Sequence, residues 1–239
     1  MKDIHSHILW GIDDGARTLG ESIKILDDLY KKGVTDIILT PHYIKGTKYN
    51  IGNRDKFNLF VELKKKYNKI NLYLGNEVYV DEDIVDLLKN GEVATLNNSA
   101  YLLMELPMNS EIKDLDSIIY DLMRNGIIPI IAHPERYLYV QKDITYLDKF
   151  IDMGVLFQGN YESLFGKYGK NSEKTLKKLL KKNYISFLGS DIHRENHSNH
   201  TELVYKKLLK IIKDKEKIEN LIDKNIEKVI NNEEIKNTI

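Results

Sequence analysis

Short runs of Ile, Leu and Val alternate along this chain with longer stretches in which apolar residues recur at helical spacing. Runs of that length suit strands buried on both faces, and the alternation is the pattern of repeated βα units around a parallel sheet. About seven units are legible, with strands expected near residues 2–5, 36–41, 71–78, 101–106, 127–133, 155–159 and 185–190. Between Glu21 and Lys32, the side chains of Ile23, Leu26, Leu29 and Tyr30 share one face before Gly33 stops the helix, so that face should pack on the sheet. Lys177, Lys178, Lys181 and Lys182 alternate with Leu176, Leu179 and Leu180, which makes the lysines the wet side of an amphipathic helix. From Thr201 to Ile235 the helical period continues without a strand candidate, predicting two or three closing helices.

A length of 239 residues suits a single α/β barrel, so one domain spanning 1–239 is expected. The 42% hydrophobic content is enough for a packed core. Lys plus Arg and Asp plus Glu both equal 36, so no global field draws the chain to nucleic acid or acidic membranes, and any anion binding must be local. MKDIHSH cannot begin the apolar core of a secretory signal, and no 18-residue apolar run follows, so a cytoplasmic location without membrane insertion is expected. The absence of cysteine excludes every mechanism that needs a thiolate.

The chemistry gathers at the strand ends. In DIHSHI, His5 and His7 are two apart, a spacing that points strand side chains to one face. Asp191 and His193 repeat that offset after the last strand, while His42, Glu77, Glu105 and His133 close four of the others. Each alone could be a hydrogen-bonded core histidine or a helix-capping acid. In a parallel barrel, however, the C-terminal strand ends converge on one mouth, where five imidazoles and three carboxylates would meet. Asp13 and Asp14 precede Gly15, so Asp14 reads equally as a turn residue or a ligand. Nitrogen and oxygen donors without thiolate suit Mn²⁺, Fe²⁺ or Zn²⁺, and the carboxylates lean toward Mn²⁺. Eight or nine donors imply two or three ions at about three to four protein ligands each.

In this order the residues resemble the PHP family (polymerase and histidinol phosphatase), with its HxH start, interior His, Glu and His, and DxH close. IHSHILWGIDDGARTLGESIKILDDLYKKGVTDIILTPHY, GNEVY, AHPERY and SDIHR are similar to one branch, the manganese-dependent protein tyrosine phosphatases of bacterial capsule and exopolysaccharide operons. The resemblance covers nearly the whole chain and implies a distorted seven-stranded barrel with a trinuclear metal centre. Carried over, it places one ion on His5, His7, Glu77 and Asp191, a second on Glu77, Glu105 and His133, and a third on Asp14, His42 and His193. It also implies that Arg136 contacts the phosphate, as a fork-shaped guanidinium suits an oxyanion; the alternative is a surface salt bridge. Family members commonly carry a second arginine several residues after DxH. Here Arg194 directly follows His193, so Arg194, His197 or His200 would have to supply that contact.

The expected reaction is in-line attack on phosphorus by a metal-held hydroxide, with little demand for a general acid because the phenolate leaving group has a pKa of about 10. Tyr43, Tyr79 and Tyr137 lie near proposed ligands and either line an aryl slot or simply pack. The resemblance implies a tyrosine-phosphorylated partner, the flexible tail of a bacterial tyrosine kinase, read with weak dependence on flanking residues. Two rivals stand beside it: a histidinol-phosphate or other small-molecule phosphomonoesterase, and a metal-binding regulatory module without turnover.

Overall fold

In the computed structural model, residues 1–195 and 199–235 are described. Each of the seven apolar runs carries at least one parallel strand, and two of the runs break into a pair. The strands are β1 (Lys2–Asp3), β2 (Asp36–Leu39), β3 (His42–Tyr43), β4 (Asn71–Leu74), β5 (Glu77–Tyr79), β6 (Tyr101–Glu105), β7 (Ile128–Ala132), β8 (Leu156–Asn160) and β9 (Phe187–Gly189). They form two all-parallel sheets among the described residues, ordered β1-β2-β4 and β3-β5-β6-β7-β8-β9. DIILTPHY passes from the first sheet to the second at Thr40 and Pro41, and NLYLGNEVY does so at Gly75 and Asn76. Pro41 has no N–H to give a ladder, which makes it a natural place for the register to change. The two sheets meet again where the segments after β1 and β9 run side by side. Ser6 bridges Ile192, Asp191 N–H donates to His5 O at 2.8 Å, and His7 N–H donates to Ile192 O at 2.9 Å.

The helices follow in chain order: α1 (Leu19–Lys31), α2 (Asn53–Lys66), α3 (Ile84–Lys89), α4 (Leu115–Arg124), α5 (Leu138–Lys142), α6 (Asp148–Asp152), α7 (Gly169–Lys181), α8 (Thr201–Ile211), α9 (Lys215–Glu219) and α10 (Asn225–Ile230). Thr18 caps α1, its side chain accepting from Glu21 N–H at 3.1 Å, and the helix buries Ile25, Leu26 and Leu29, whereas Tyr30, expected on the packed face, is exposed. Leu176, Leu179 and Leu180 of α7 are buried, as the lysine pattern predicts. A π-turn over Asn220–Lys224 joins α9 to α10. No described helix is long and apolar enough to cross a membrane.

Ile4, just after β1, and the strand residues Ile38, Leu103, Ile130, Leu156 and Phe187 share one core cluster with Ile226 and Val229 of α10. The tail seals the N-terminal strand ends. Asn225 Nδ2 donates to Ser186 O at 2.9 Å, Asn97 Nδ2 to Ile230 O at 3.0 Å, and Lys2 pairs with Asp223 at 2.7 Å. The opposite, C-terminal ends remain for the site.

One buried cation supports a strand break. Lys56 of α2, 1% exposed, donates from Nζ to Asn76 Oδ1. Asn76 in turn donates to Pro41 O at 3.0 Å and accepts from Ala94 N–H at 3.0 Å, tying both breaks together. Burial pushes the Lys56 ammonium down from 10.5 to about 7. A lysine whose folded pKa lies below its unfolded value costs stability in full below about pH 7, and that cost fades as pH rises toward 10.5. At about 1.4 kcal/mol per unit the penalty is a few kcal/mol. Lys56→Met should therefore raise the melting temperature several degrees at pH 7 and much less at pH 9.5, since Ala94 still satisfies Asn76. Thermal melts at both pH values check this, and a loss of stability at pH 7 would overturn it.

Candidate metal centre

The first two histidines lie just beyond β1, held by the Ser6–Ile192 bridge rather than by a longer strand. Their side chains still face one way: His5 Nε2 and His7 Nε2 are 3.1 Å apart. Glu77 Oε2 lies 3.1 and 3.2 Å from them, and Asp191 Oδ1 lies 3.6 and 3.4 Å from them. Donors sharing an ion at bonds of about 2.0–2.2 Å sit about 3.0–3.6 Å from one another. This quartet has that spacing.

Glu77 opens β5 beside His42, its register partner at the start of β3, so both stand at the breaks between the sheets. Its second oxygen, Oε1, is 3.1 Å from His133 Nε2, which is 3.6 Å from Glu105 Oε1. The carboxylate thus faces donors on both sides. His42 Nδ1 is 3.0 Å from Glu77 Oε2 without hydrogen-bond geometry, so this buried nitrogen accepts and donates no protein hydrogen bond. A third group gathers around Asp14 Oδ1, with His42 Nε2 at 3.6 Å and His193 Nε2 at 3.5 Å. His7, Asp14, His42 and His193 are close enough to share an ion, as are His5, His7 and Glu77, or His42, Glu77 and Glu105.

The backbone is bent to bring them there. His133 and Asp191 occupy the left-handed region at φ 35° and 52°, which non-glycine residues rarely adopt. His133 N–H is anchored on Gln158 O and Asp191 N–H on His5 O. Gly15 has no room for a side chain, because a Cβ would come within 2.0 Å of His7 O. That close approach folds the Asp13–Asp14 loop back on the strand end.

Asp13, read from sequence as part of a turn, accepts from His7 Nδ1 at 2.8 Å and from His42 N–H at 2.9 Å. On β8, the run that lacks a strong ligand, Gln158 Oε1 contacts His5 Nδ1 at 2.8 Å and Asn160 Nδ2 donates to Asp191 Oδ2 at 2.7 Å. Such partners fix which imidazole nitrogen faces the centre.

Crowding divides the titrations. Burial depresses His5, but Glu77 and Asp191 more than offset it and hold it at about 9. Burial lowers His133 to about 4, with Arg136 adding, and lowers His193 to about 4, with His7 adding. Glu105 is pushed up to about 8 by burial and by Glu77. Glu77 and Asp191 are held well below the ordinary carboxylate range despite their burial, chiefly by His5. Acids and imidazoles this tightly gathered fit divalent cations, which would relieve the repulsion among the carboxylates and favour neutral imidazole.

A cavity of about 320 Å³ opens over the cluster, lined by Asp14, His42, Glu77, Glu105, His133, Asp191 and His193 together with Arg136, Lys167 and Tyr168. Arg136 lies in the one-turn helix after His133. Its Nη1 donates to Asp191 Oδ2 at 3.0 Å, and its guanidinium carbon stands 4.5 Å from the Tyr168 ring centre. Arg194 is placed elsewhere: its Nη1 lies 3.6 Å from Glu21 Oε2 on α1, and it does not line this cavity. His200 pairs with Glu162 at 2.9 Å and stacks on Phe165, and His197 lies outside the described residues. The second cation at the cavity wall is Lys167, which only its position on the loop after the sixth run could have suggested. Tyr137 is buried and donates to Ala132 O at 2.8 Å, a packing role, and Tyr43 is buried against Glu92.

Comparison with known proteins identifies relatives of the whole chain. Residues 1–231 match the family described as capsular polysaccharide synthesis, CpsB/CapC. The chain is 37% identical over 197 residues to the putative tyrosine-protein phosphatase CapC of Staphylococcus aureus, covering 81% of this chain and 77% of that protein. It is 31% identical over 206 residues to the tyrosine-protein phosphatase YwqE of Bacillus subtilis, covering 84% and 81%. A solved structure from a study of YwqE from Bacillus subtilis and CpsB from Streptococcus pneumoniae, described as unique metal-dependent tyrosine phosphatases, superposes with a TM-score of 0.88 at 28% identity, covering 99% of this chain and 96% of the other. The histidinol phosphate phosphatase of Lactococcus lactis shares the fold at a TM-score of 0.57 and 14% identity, covering 88% and 94%. The chain belongs to the CpsB/CapC family of capsular polysaccharide synthesis.

Proposed function

We propose that this chain is a metal-dependent protein-tyrosine phosphatase that acts on a tyrosine-phosphorylated protein, the tail of a bacterial tyrosine kinase controlling capsule or exopolysaccharide synthesis. The observation that carries this reading is the gathering of donors around Glu77 beneath a wall bearing Arg136. We read the two sheets, joined by the Ser6–Ile192 bridge, as one distorted seven-stranded barrel and residues 1–239 as one cytoplasmic domain. His5, His7, Glu77 and Asp191 would hold one ion, Glu77, Glu105 and His133 a second, and Asp14, His42 and His193 a third. Mn²⁺ suits this oxygen-rich set, with Fe²⁺ and Zn²⁺ as alternatives.

When bound, such ions bring the pKa of water down to about 7 and neutralise phosphoryl oxygens. The protein supplies orientation and charge. Asp13 and Gln158 fix the rings of His7 and His5. Arg136, steadied by Asp191 and Tyr168, offers a planar fork to the phosphate, and Lys167 brings a second cation to the same wall. Glu77 and His133 are 1% exposed. A phosphate must therefore be carried down to them, and phosphotyrosine reaches several ångströms further than phosphoserine.

The test compares turnover of a phosphotyrosine peptide, a phosphoserine peptide and histidinol phosphate by Mn²⁺-reconstituted protein. Marked preference for phosphotyrosine is expected. Equal rates on both peptides, or activity confined to histidinol phosphate, would overturn the reading.

A further inference from the structure

Beside the catalytic cavity lies a second opening of about 500 Å³ that shares Arg136 and Tyr168 with it. Tyr168 forms the partition, its ring against the Arg136 guanidinium and its hydroxyl 3.3 Å from Asp191 Oδ2. Beyond the partition the floor is apolar, made by Met108 and Leu138, which are tied by a hydrogen bond from Leu138 N–H to Met108 O at 2.9 Å. Leu138 is 54% exposed, an unusual position for a leucine one residue from a fully buried tyrosine. The far wall is the start of α7, with Lys170 and Asn171. The charged lining residues, Arg136 and Lys170, are both cations, and no carboxylate lines the groove among the described residues. On the other flank of the β6–α4 loop the sign reverses, where Asp81, Glu82, Asp114 and Asp121 line a separate groove with Val80 and Ile112.

We infer that the Met108–Leu138–Lys170 groove is a specificity subsite for the substrate chain next to the phosphotyrosine, accepting an apolar side chain on Met108 and Leu138 and an acidic one at Lys170. The inference rests on the phosphotyrosine reading above and adds a sequence preference to it. Two features commit the groove to this occupant. It is continuous with the phosphate site through Arg136, so a chain whose phosphate lies on the guanidinium leaves the cavity over Tyr168 onto this floor. Its charge is also complementary to acidic peptides, whereas the neighbouring acidic groove repels them and so selects the direction of entry. The weak dependence on flanking residues expected from sequence is thereby revised. That expectation came with the family resemblance, which says nothing about a local groove in this chain.

The experiment uses full-length Mn²⁺-loaded protein and three probes: para-nitrophenyl phosphate, a phosphotyrosine peptide flanked by Leu and Glu, and the same peptide flanked by Ser and Lys. Wild type is expected to favour the Leu/Glu peptide at least about tenfold in kcat/KM, a difference of about 1.4 kcal/mol. Leu138→Asp should collapse that preference, mainly by raising KM for the Leu/Glu peptide, and Lys170→Glu should reduce or invert the charge preference. Both variants should keep the wild-type rate on para-nitrophenyl phosphate, which ends before the groove. Equal wild-type rates on the two peptides would overturn the subsite alone, as would variants that lose para-nitrophenyl phosphate turnover in parallel. Failure of wild type to hydrolyse any of the three would instead sink the phosphatase reading and the subsite with it.

Discussion

Replacing Glu77 by Gln is expected to lower phosphatase activity by about 10³-fold or more, on the view that metal-borne charge stabilisation is worth several kcal/mol. Among the described residues Glu77 alone faces His5, His7, His42 and His133 at once, so an uncharged amide of the same shape weakens two groups of donors together. Elemental analysis of wild type should give at least two transition-metal ions per chain, and the variant should have fewer. A readout independent of turnover is available because ions that bind only the folded state raise its melting temperature. Mn²⁺ should stabilise stripped wild type by several degrees and the variant markedly less. At most one ion in wild type, or full metal content in the variant, would end the multinuclear assignment.

Arg136→Ala is the second large effect. On the proposed role, losing a bidentate, charge-assisted contact to phosphate should cost about 10²-fold or more in kcat/KM, or roughly 3 kcal/mol. Metal content should stay near normal, because Asn160 and Tyr168 still hold Asp191 Oδ2. Arg136→Lys should recover little, since a point charge cannot reproduce the fork. Lys167→Ala should lower activity less, as an ammonium gives one flexible contact. Near-normal kcat/KM in Arg136→Ala would make the residue structural and leave the phosphate to the metals.

The alternation of apolar runs with amphipathic stretches made the parallel α/β architecture readable, because strands buried on both faces must be continuously apolar. What it hid was discontinuity. DIILTPHY and NLYLGNEVY each look like one strand, yet each serves two sheets, and the break follows from Pro41 and from Asn76 bonding, not from any loss of hydrophobicity. The donor residues were legible because histidines and acids at strand ends are chemically conspicuous. Their supports were not. Asp13 looked like turn chemistry, Gln158 looked like an ordinary strand amide, and Lys167 was one lysine among many. Arg194 was offered in place of the family's second arginine after DxH, but its guanidinium goes to Glu21.

The seam between the Ser6 and Ile192 segments has a kinetic consequence. His5 and His7 meet Asp191 only when residues nearly 190 apart in sequence come together, a contact whose loop-closure entropy is spent late in folding. During synthesis His5 and His7 therefore meet Asp13 and Glu77 well before Asp191 exists. A stopped-flow refolding experiment with Mn²⁺ added at staged delays should then find uptake at this quartet coincident with the final, slowest phase. An ion held there would act as a clasp, fastening the segment around His5 and His7 to the segment around Asp191 once both have arrived.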